Sequence, residues 1–299
     1  MRDLAPPSPT PSRPLIGLRD VADAFDLIVC DVWGVVHDGR AHTPSAVDAL
    51  TRFRARGGRV VLLTNAPRPH GAVIAQLDTL GVPRASYDAV VSSGDVTVDL
   101  MAARGARRVF HLGPPRDGDV FHEAGRRLGR PVLRVGVETA EEVVCTGLFR
   151  DDDALEPYET LLVAMRQRDL TMICANPDRV VHSGDHLLWC AGALADRYAA
   201  LGGVVKQAGK PYPAIYDAAL RRAQTWGARP SSDRILAIGD GLFTDMAGAA
   251  AQGWRGLFIS GGVHRAAIHP AAGFDAAAYE RLAREANAAP FAHLRRLTW

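Results

Sequence analysis

Four short stretches carry residues that could do chemistry together: Asp31 in DVWGV, Thr64-Asn65 in LLTN, Lys210 in GKPYP, and Asp240 with Asp245 in IGDGLFTD. A reaction at a phosphate ester needs a nucleophile, donors for the phosphoryl oxygens, a cation to meet developing charge, and acidic oxygens to hold Mg²⁺. These residue types supply each part. Any one stretch is a weak signal, because strands ending in Asp and Gly-Lys-Pro turns are frequent in α/β proteins; their occurrence together in this order is a strong one. Composition adds a small argument for Lys210. Of the 35 basic residues only Lys206 and Lys210 are lysines, so a lysine here is kept for a role that arginine does not fill.

The elements needed to position these residues can be read from the apolar pattern. Leu27-Ile28-Val29-Cys30 has the length and β-branched content of a buried strand and stops at Asp31. Pro44 to Arg56 carries Val47, Leu50 and Phe53 at helical spacing and closes on Gly57-Gly58. Arg59 to Leu63 is a second buried strand ending at Thr64-Asn65. Strand, helix, strand makes a right-handed parallel unit, which sets Thr64 and Asn65 beside Asp31 on one sheet edge. In open α/β sheets that edge is where ligands gather. A helix from Pro69 to Leu80, a strand at Ala89-Val90-Val91, helices at 191–200 and 213–225, and the strand Ile235 to Ile238 before Gly239-Asp240 continue the pattern. Residues 1–14, rich in Pro and Ser, read as a flexible tail. Beyond about Leu100, short β-like runs at 108–112, 142–145 and 171–174 alternate with a helix near 158–167. The expected organisation is a core domain over 15–99 and 176–299, with a smaller α/β domain inserted at 100–175.

The chain has 299 residues, 47% of them hydrophobic, and a formal net charge of +2. That is enough for two packed domains and gives no large field to draw nucleic acid or a membrane. Arginine clusters at Arg104/Arg107/Arg108 and Arg126/Arg127 read as solvated helix faces without interleaved aromatics, which argues against nucleic acid. Cys30, Cys145, Cys174 and Cys190 form no CxxC pair and read as reduced core residues. No signal segment or bilayer-length apolar run is evident, so a cytoplasmic location is the expectation. A dinucleotide-binding reading fails because no GxGxxG follows the first strand.

The ordered set DVWGV, LLTN, GKPYP and IGDGLFTD resembles the haloacid-dehalogenase superfamily, over about Phe25 to Gly262. The insertion before GKP looks like that superfamily's class II, subclass A cap, as in NagD-like phosphatases, and Cys174-Ala175-Asn176-Pro177-Asp178 matches the group's Asn-Pro-Asp segment. The resemblance implies a Rossmann-like, doubly wound parallel-sheet core, Mg²⁺ as cofactor, and a small phosphorylated metabolite as substrate. It makes Asp31 the nucleophile of an aspartyl-phosphate, with Lys210 neutralising charge shared by Asp31 and the phosphate. Thr64 and Asn65 would bind the phosphoryl group, and Asn176 and Asp178 join the substrate-binding set. Asp31, the Trp33 carbonyl, Asp240 and Asp245 would form the metal site, Asp245 through a bound water or by orienting Lys210. Pairing of exposed cap strands into a homodimer is a further implication.

One departure matters. The family's phosphatases usually carry a second Asp two residues after the nucleophile, which protonates the leaving alcohol; this chain has Trp33 there, and an indole does not exchange protons near neutral pH. General acid–base catalysis contributes about 10²–10⁴ in rate, so its loss favours leaving groups that need no proton. His37 is the candidate substitute acid, since His has a suitable pKa; His182 and Asp178 read as loop-stabilising. Three functions therefore stay open: a Mg²⁺-dependent phosphatase, a phosphate-ligand binding or regulatory protein with impaired turnover, and another reaction of the scaffold, phosphotransfer or dehalogenation. Retention of both acidic residues of GDGLFTD weighs against dehalogenation, which needs no metal.

Overall fold

The structure, a computed structural model, describes residues 12–183, 186–227, 229–270 and 273–299. The first run of elements is β1 (Arg13–Pro14), β2 (Leu27–Asp31), α1 (Pro44–Ala55), β3 (Arg59–Thr64), α2 (His70–Thr79), β4 (Ala89–Ser92) and α3 (Ser93–Arg104). The second is β5 (Arg108–Leu112), α4 (Asp119–Leu128), β6 (Leu133–Arg134), β7 (Glu142–Cys145), α5 (Glu159–Gln167), β8 (Thr171–Cys174), β9 (Val180–Ser183), β10 (His186–Trp189), α6 (Ala191–Ala200) and β11 (Val205–Gln207). The last is α7 (Pro213–Gln224), β12 (Ile235–Gly239), α8 (Ala247–Ala251), β13 (Arg255–Ile259), α9 (Arg265–Ile268), α10 (Ala276–Glu285) and β14 (Ala292–Leu294).

Seven strands form one parallel sheet in the order β1-β14-β13-β12-β2-β3-β4, and five form a second parallel sheet in the order β11-β8-β7-β5-β6. The pair β9 and β10 makes a separate antiparallel ribbon. In the large sheet the chain steps outward from β2 to β3 and β4, then starts again at β12 and steps the other way. The reversal lies between β2 and β12, and the crevice at such a switch point is where an open α/β sheet binds ligands. Asp31 ends β2, and Asp240 follows β12 directly.

Both faces of this sheet are covered, which is why its strands read as unbroken apolar runs. Ile28 and Cys30 of β2 pack with Val47, Leu50 and Phe53 of α1. Leu27 and Val29 point the other way, into a cluster with Ile215, Tyr216 and Ala219 of α7. Side chains alternate along a strand, so Asp31 follows Leu27 and Val29 onto the α7 face. Lys210 lies just before the first turn of that helix. The second sheet has its own core, where Val143, Cys145, Met172 and Cys174 meet Leu162, Met165, Leu194 and Tyr198.

Two expected boundaries move. The second sheet keeps the chain until Gln207, because Ala191, Leu194, Ala195 and Tyr198 of α6 pack into its core and β11 pairs with β8. The return expected at Asn176 therefore comes some thirty residues late. Asn176 begins the excursion through β9, β10 and α6. The outward crossing falls inside α3, so the division expected at 99/100 cuts a continuous helix. The tail is also shorter than expected: Arg13 and Pro14 pair with β14, and Ser12 Oγ lies 3.0 Å from His293 Nδ1. The remaining tail expectation, residues 1–11, and the side chain of His182 lie outside the described residues. All four cysteines are buried and unpaired.

Candidate active site

Asp31, Lys210, Asp240 and Asp245 meet at the carboxyl ends of β2 and β12, each almost wholly buried. Lys210 Nζ donates to Asp31 Oδ1 at 2.5 Å and to Asp245 Oδ1 at 2.7 Å. One oxygen from each of Asp31, Asp240 and Asp245 lies within 4.8 Å of the others. Asp240 and Asp245 come from different sides of one turn. Asp245 sits in the π-helical turn Leu242–Met246, where its Oδ2 accepts from the Gly241 N–H at 3.0 Å. Asp240 Oδ2 accepts from the Val263 N–H at 2.7 Å. Two glycines make room for Asp240: a Cβ on Gly34 would stand 2.2 Å from its Oδ2, and one on Gly262 would stand 2.0 Å away. Gly34 also has φ +84°, which a residue with a side chain adopts only at a cost. Sequence thus lets two loops close on the carboxylate from opposite sides.

The charges are held in tension. Burial pushes the Asp31 carboxyl well above the usual carboxylate range, with the Asp245 carboxylate adding to it. Burial, then Asp245, lifts Asp240 to about 7. Burial opposes the Lys210 cation, but Asp245 and Asp31 outweigh it and hold the ammonium well above its ordinary value. Three carboxyl groups share one ammonium, and ionising all three would leave an excess of negative charge in a buried place. A divalent cation with oxygen ligands offsets that excess, so the residues present fit Mg²⁺.

Asn65 fixes the lysine from behind. Its Oδ1 accepts from the Lys210 N–H at 2.7 Å, while its Nδ2 donates to the Lys210 carbonyl at 3.2 Å and to Asp178 Oδ1 at 2.9 Å. A Cβ at Gly209 would lie 2.3 Å from Asn65 Oδ1, so the GKP glycine is what permits the approach. Thr64 Oγ1 accepts from the Ala66 N–H at 3.1 Å, which leaves its own proton to give. Burial raises the Asp178 carboxyl.

A cavity of about 660 Å³ opens over this cluster, lined by Asp31, Trp33, Thr64, Asn65, Asp178, Lys210, Asp240 and Asp245 among others. Two expected site residues are placed differently. The Asn176 side chain turns back to accept from the Asp178 N–H at 3.1 Å and is not part of the lining. His37 is buried outside the lining; its Nδ1 accepts from the Gly39 N–H at 3.0 Å, and burial pushes its pKa down to about 4. A neutral ring already committed to the backbone is no proton donor at neutral pH. Its visible task is to seat Trp33: the two rings meet edge to face at 5.1 Å, and a Cβ on Gly39 would come within 2.6 Å of the indole.

The lining also includes Arg40, Arg179, Tyr212, Phe243, His264 and Arg265, which sequence reasoning did not select. A signal existed for the last two. Gly256-Leu257-Phe258-Ile259 is an apolar run that ends at Ser260-Gly261-Gly262, the same strand-to-glycine ending as β12, and it opens on the same edge.

Two family models match this chain: one described as haloacid dehalogenase-like hydrolase over residues 28–127, and one described as HAD-hydrolase-like over residues 207–284. A solved hydrolase of the haloacid dehalogenase-like family from Brucella suis 1330 shares 46% identity, with a TM-score of 0.82, over 96% of this chain and 100% of that one. The D-glycerol 3-phosphate phosphatase of Mycobacterium tuberculosis is 31% identical over 83% of this chain and 67% of its own length. A glycerol phosphate phosphatase from Mycobacterium tuberculosis, solved in complex with magnesium, superimposes with a TM-score of 0.62 at 26% identity, over 87% of this chain and 78% of that one.

Proposed function

This chain belongs to the haloacid dehalogenase-like hydrolases, and on that premise we propose that it is a Mg²⁺-dependent phosphatase of small phosphorylated molecules, working through an aspartyl-phosphate on Asp31. The observation that carries the reading is the buried bridge from Lys210 to Asp31 and Asp245 at the floor of the cavity, with Asp240 beside it. The phosphatases among its relatives support the same chemistry.

Asp31 attacks phosphorus: a bond forms from its carboxylate oxygen as the bond to the leaving oxygen breaks. Lys210 holds Asp31 in line and spreads the charge brought by the phosphoryl group, while the Thr64 hydroxyl donates to a phosphoryl oxygen. Asn65 positions Lys210 through both backbone groups rather than touching phosphate. Asp31, the Trp33 carbonyl, Asp240 and Asp245 would hold Mg²⁺, which supplies Lewis acidity toward the phosphoryl oxygens. Water then attacks the phosphorus of the aspartyl-phosphate as the bond to the Asp31 oxygen breaks, its proton going to the departing phosphate, and Asp31 returns to a carboxylate. Trp33 gives the leaving oxygen no proton and His37 is out of reach, so the reaction runs best when that oxygen leaves as a weakly basic anion.

The test joins binding and turnover. Mg²⁺ should raise the Tm in a concentration-dependent way, and 4-nitrophenyl phosphate should release phosphate only with Mg²⁺. Asp31→Asn should abolish release while leaving the protein folded. Tight binding of phosphate ligands without turnover of any phosphate ester would instead favour a binding protein, the reading that Trp33 alone would suggest.

A further inference from the structure

A second, smaller cavity of about 200 Å³ lies beside the first and is lined by Gly261, Arg265, Ala266, His269, Arg295 and Arg296. Gly261 and Arg265 line both cavities, so the two meet at the loop after β13. Among the described residues its walls hold three arginines and no carboxylate. Other arginines of the molecule sit beside acids, as in Arg54 with Asp88, Arg84 with Asp78, Arg108 with Glu141, Arg179 with Asp196 and Arg234 with Asp26. Among the described residues no ion pair is found for Arg295 or Arg296.

The position is built into the fold. The Gly261 N–H donates to the Arg295 carbonyl at 3.0 Å and the Ser260 N–H to the Leu294 carbonyl at 2.8 Å, which ties the end of β14 to the loop that closes over Asp240. A Cβ at Gly261 would stand 2.3 Å from the Arg295 carbonyl oxygen, so only glycine allows this approach. His269 is fixed by Ser260 Oγ at 2.8 Å. Burial, with Arg295 adding, lowers its pKa, and the guanidinium groups carry the fixed positive charge of the walls. Arg295 and Arg296 also lie beyond the last residue matched by the family model, 284.

The geometry points to a second anion subsite: Arg265, Arg295 and Arg296 receive a carboxylate or phosphate carried by the substrate at some distance from the phosphoryl group that Asp31 attacks. Guanidinium forks bind such groups through paired, charge-assisted hydrogen bonds. The inference rests on the catalytic reading of the neighbouring cavity, and it narrows the substrate class to small molecules with two separated anionic groups.

Binding without turnover keeps the two readings apart. Methylphosphonate and a series of α,ω-alkane diphosphonates of increasing length are titrated calorimetrically into wild type and into Arg295→Gln/Arg296→Gln, both with Mg²⁺. Both arginines are exposed, and the Arg295 carbonyl that receives the Gly261 N–H is backbone that the substitution does not remove. At one chain length the diphosphonate should bind wild type at least about tenfold more tightly than methylphosphonate, and the variant should lose that gain while binding methylphosphonate unchanged. A diphosphonate with no advantage in wild type, or an advantage that survives in the variant, overturns the subsite. Failure of the catalytic reading would show separately, as absent hydrolysis of 4-nitrophenyl phosphate with this pattern intact.

Discussion

At the scale of the residue, the proposed chemistry turns on Trp33. It stands where a proton donor would serve an alkoxide leaving group, and the loop is shaped for it: Gly39 clears space for the indole and His37 supports its edge. An accidental replacement would not come with a fitted seat. The consequence is a steep dependence on the leaving group. Plotting kcat/KM against leaving-group pKa for aryl and alkyl phosphates should give a strong decline for wild type. Trp33→Asp should flatten the line, raising alkyl phosphate turnover by up to about 10²–10⁴ while changing good aryl substrates little. Equal slopes for the two proteins would mean that another group protonates the leaving oxygen.

At the scale of elements, the site depends on a few ends being held at fixed angles. Asp95 joins two of them. Its Oδ2 accepts from the Ser92 N–H at 3.0 Å and its own N–H donates to Ser92 Oγ at 3.1 Å, a reciprocal cap on α3. Its Oδ1 also accepts from the His70 N–H at 3.1 Å and lies 2.8 Å from His70 Nδ1, which anchors the start of α2. Asp95→Ala should cost about 2 kcal/mol in urea unfolding, the upper range for a lost cap. The pH dependence has a defined sign. The hydrogen bond to Asp95 raises the His70 pKa, so that contribution is complete below 6.5 and is lost as pH rises through the higher folded value. Burial works against the Asp95 carboxylate but its hydrogen bonds outweigh it, so its contribution is complete above 3.8 and is lost as pH falls through the lower folded value. The stability difference between wild type and Asp95→Asn should therefore peak between these limits and shrink on either side. Which elements were legible follows from the same physics. β2, β3 and β12 are buried on both faces, so their apolar runs announce them. β11 is three residues long with Lys206 exposed, has no pattern to read, and took the boundary of the second sheet with it. β14 is equally short and hid the arginines that follow it.

At the scale of the whole molecule, a parallel sheet with one reversal of strand order brings Asp31 and Asp240 side by side, and the excursion through the second sheet returns just in time to deliver Lys210. The order of the four motifs along the chain was therefore enough to group the residues of the candidate site. The remaining walls were not legible, because Arg40 and Tyr212 lie on loops and Phe243 on a short π-helical turn, and their sequence does not say which way they face. Exposed Tyr212 and Phe243 leave part of that wall apolar, which suits the carbon skeleton of a small ester. If this assembly makes Asp31 a nucleophile, the phosphoryl group passes through its carboxylate and can be trapped there. The enzyme is mixed with 4-nitrophenyl phosphate and Mg²⁺, quenched in acid within the first turnover, digested and examined by mass spectrometry. One phosphoryl group is expected on the peptide containing Asp31, absent without Mg²⁺ and absent in Asp31→Asn. Rapid release of nitrophenol with no phosphoryl adduct on that peptide, or an adduct on another residue, would contradict it.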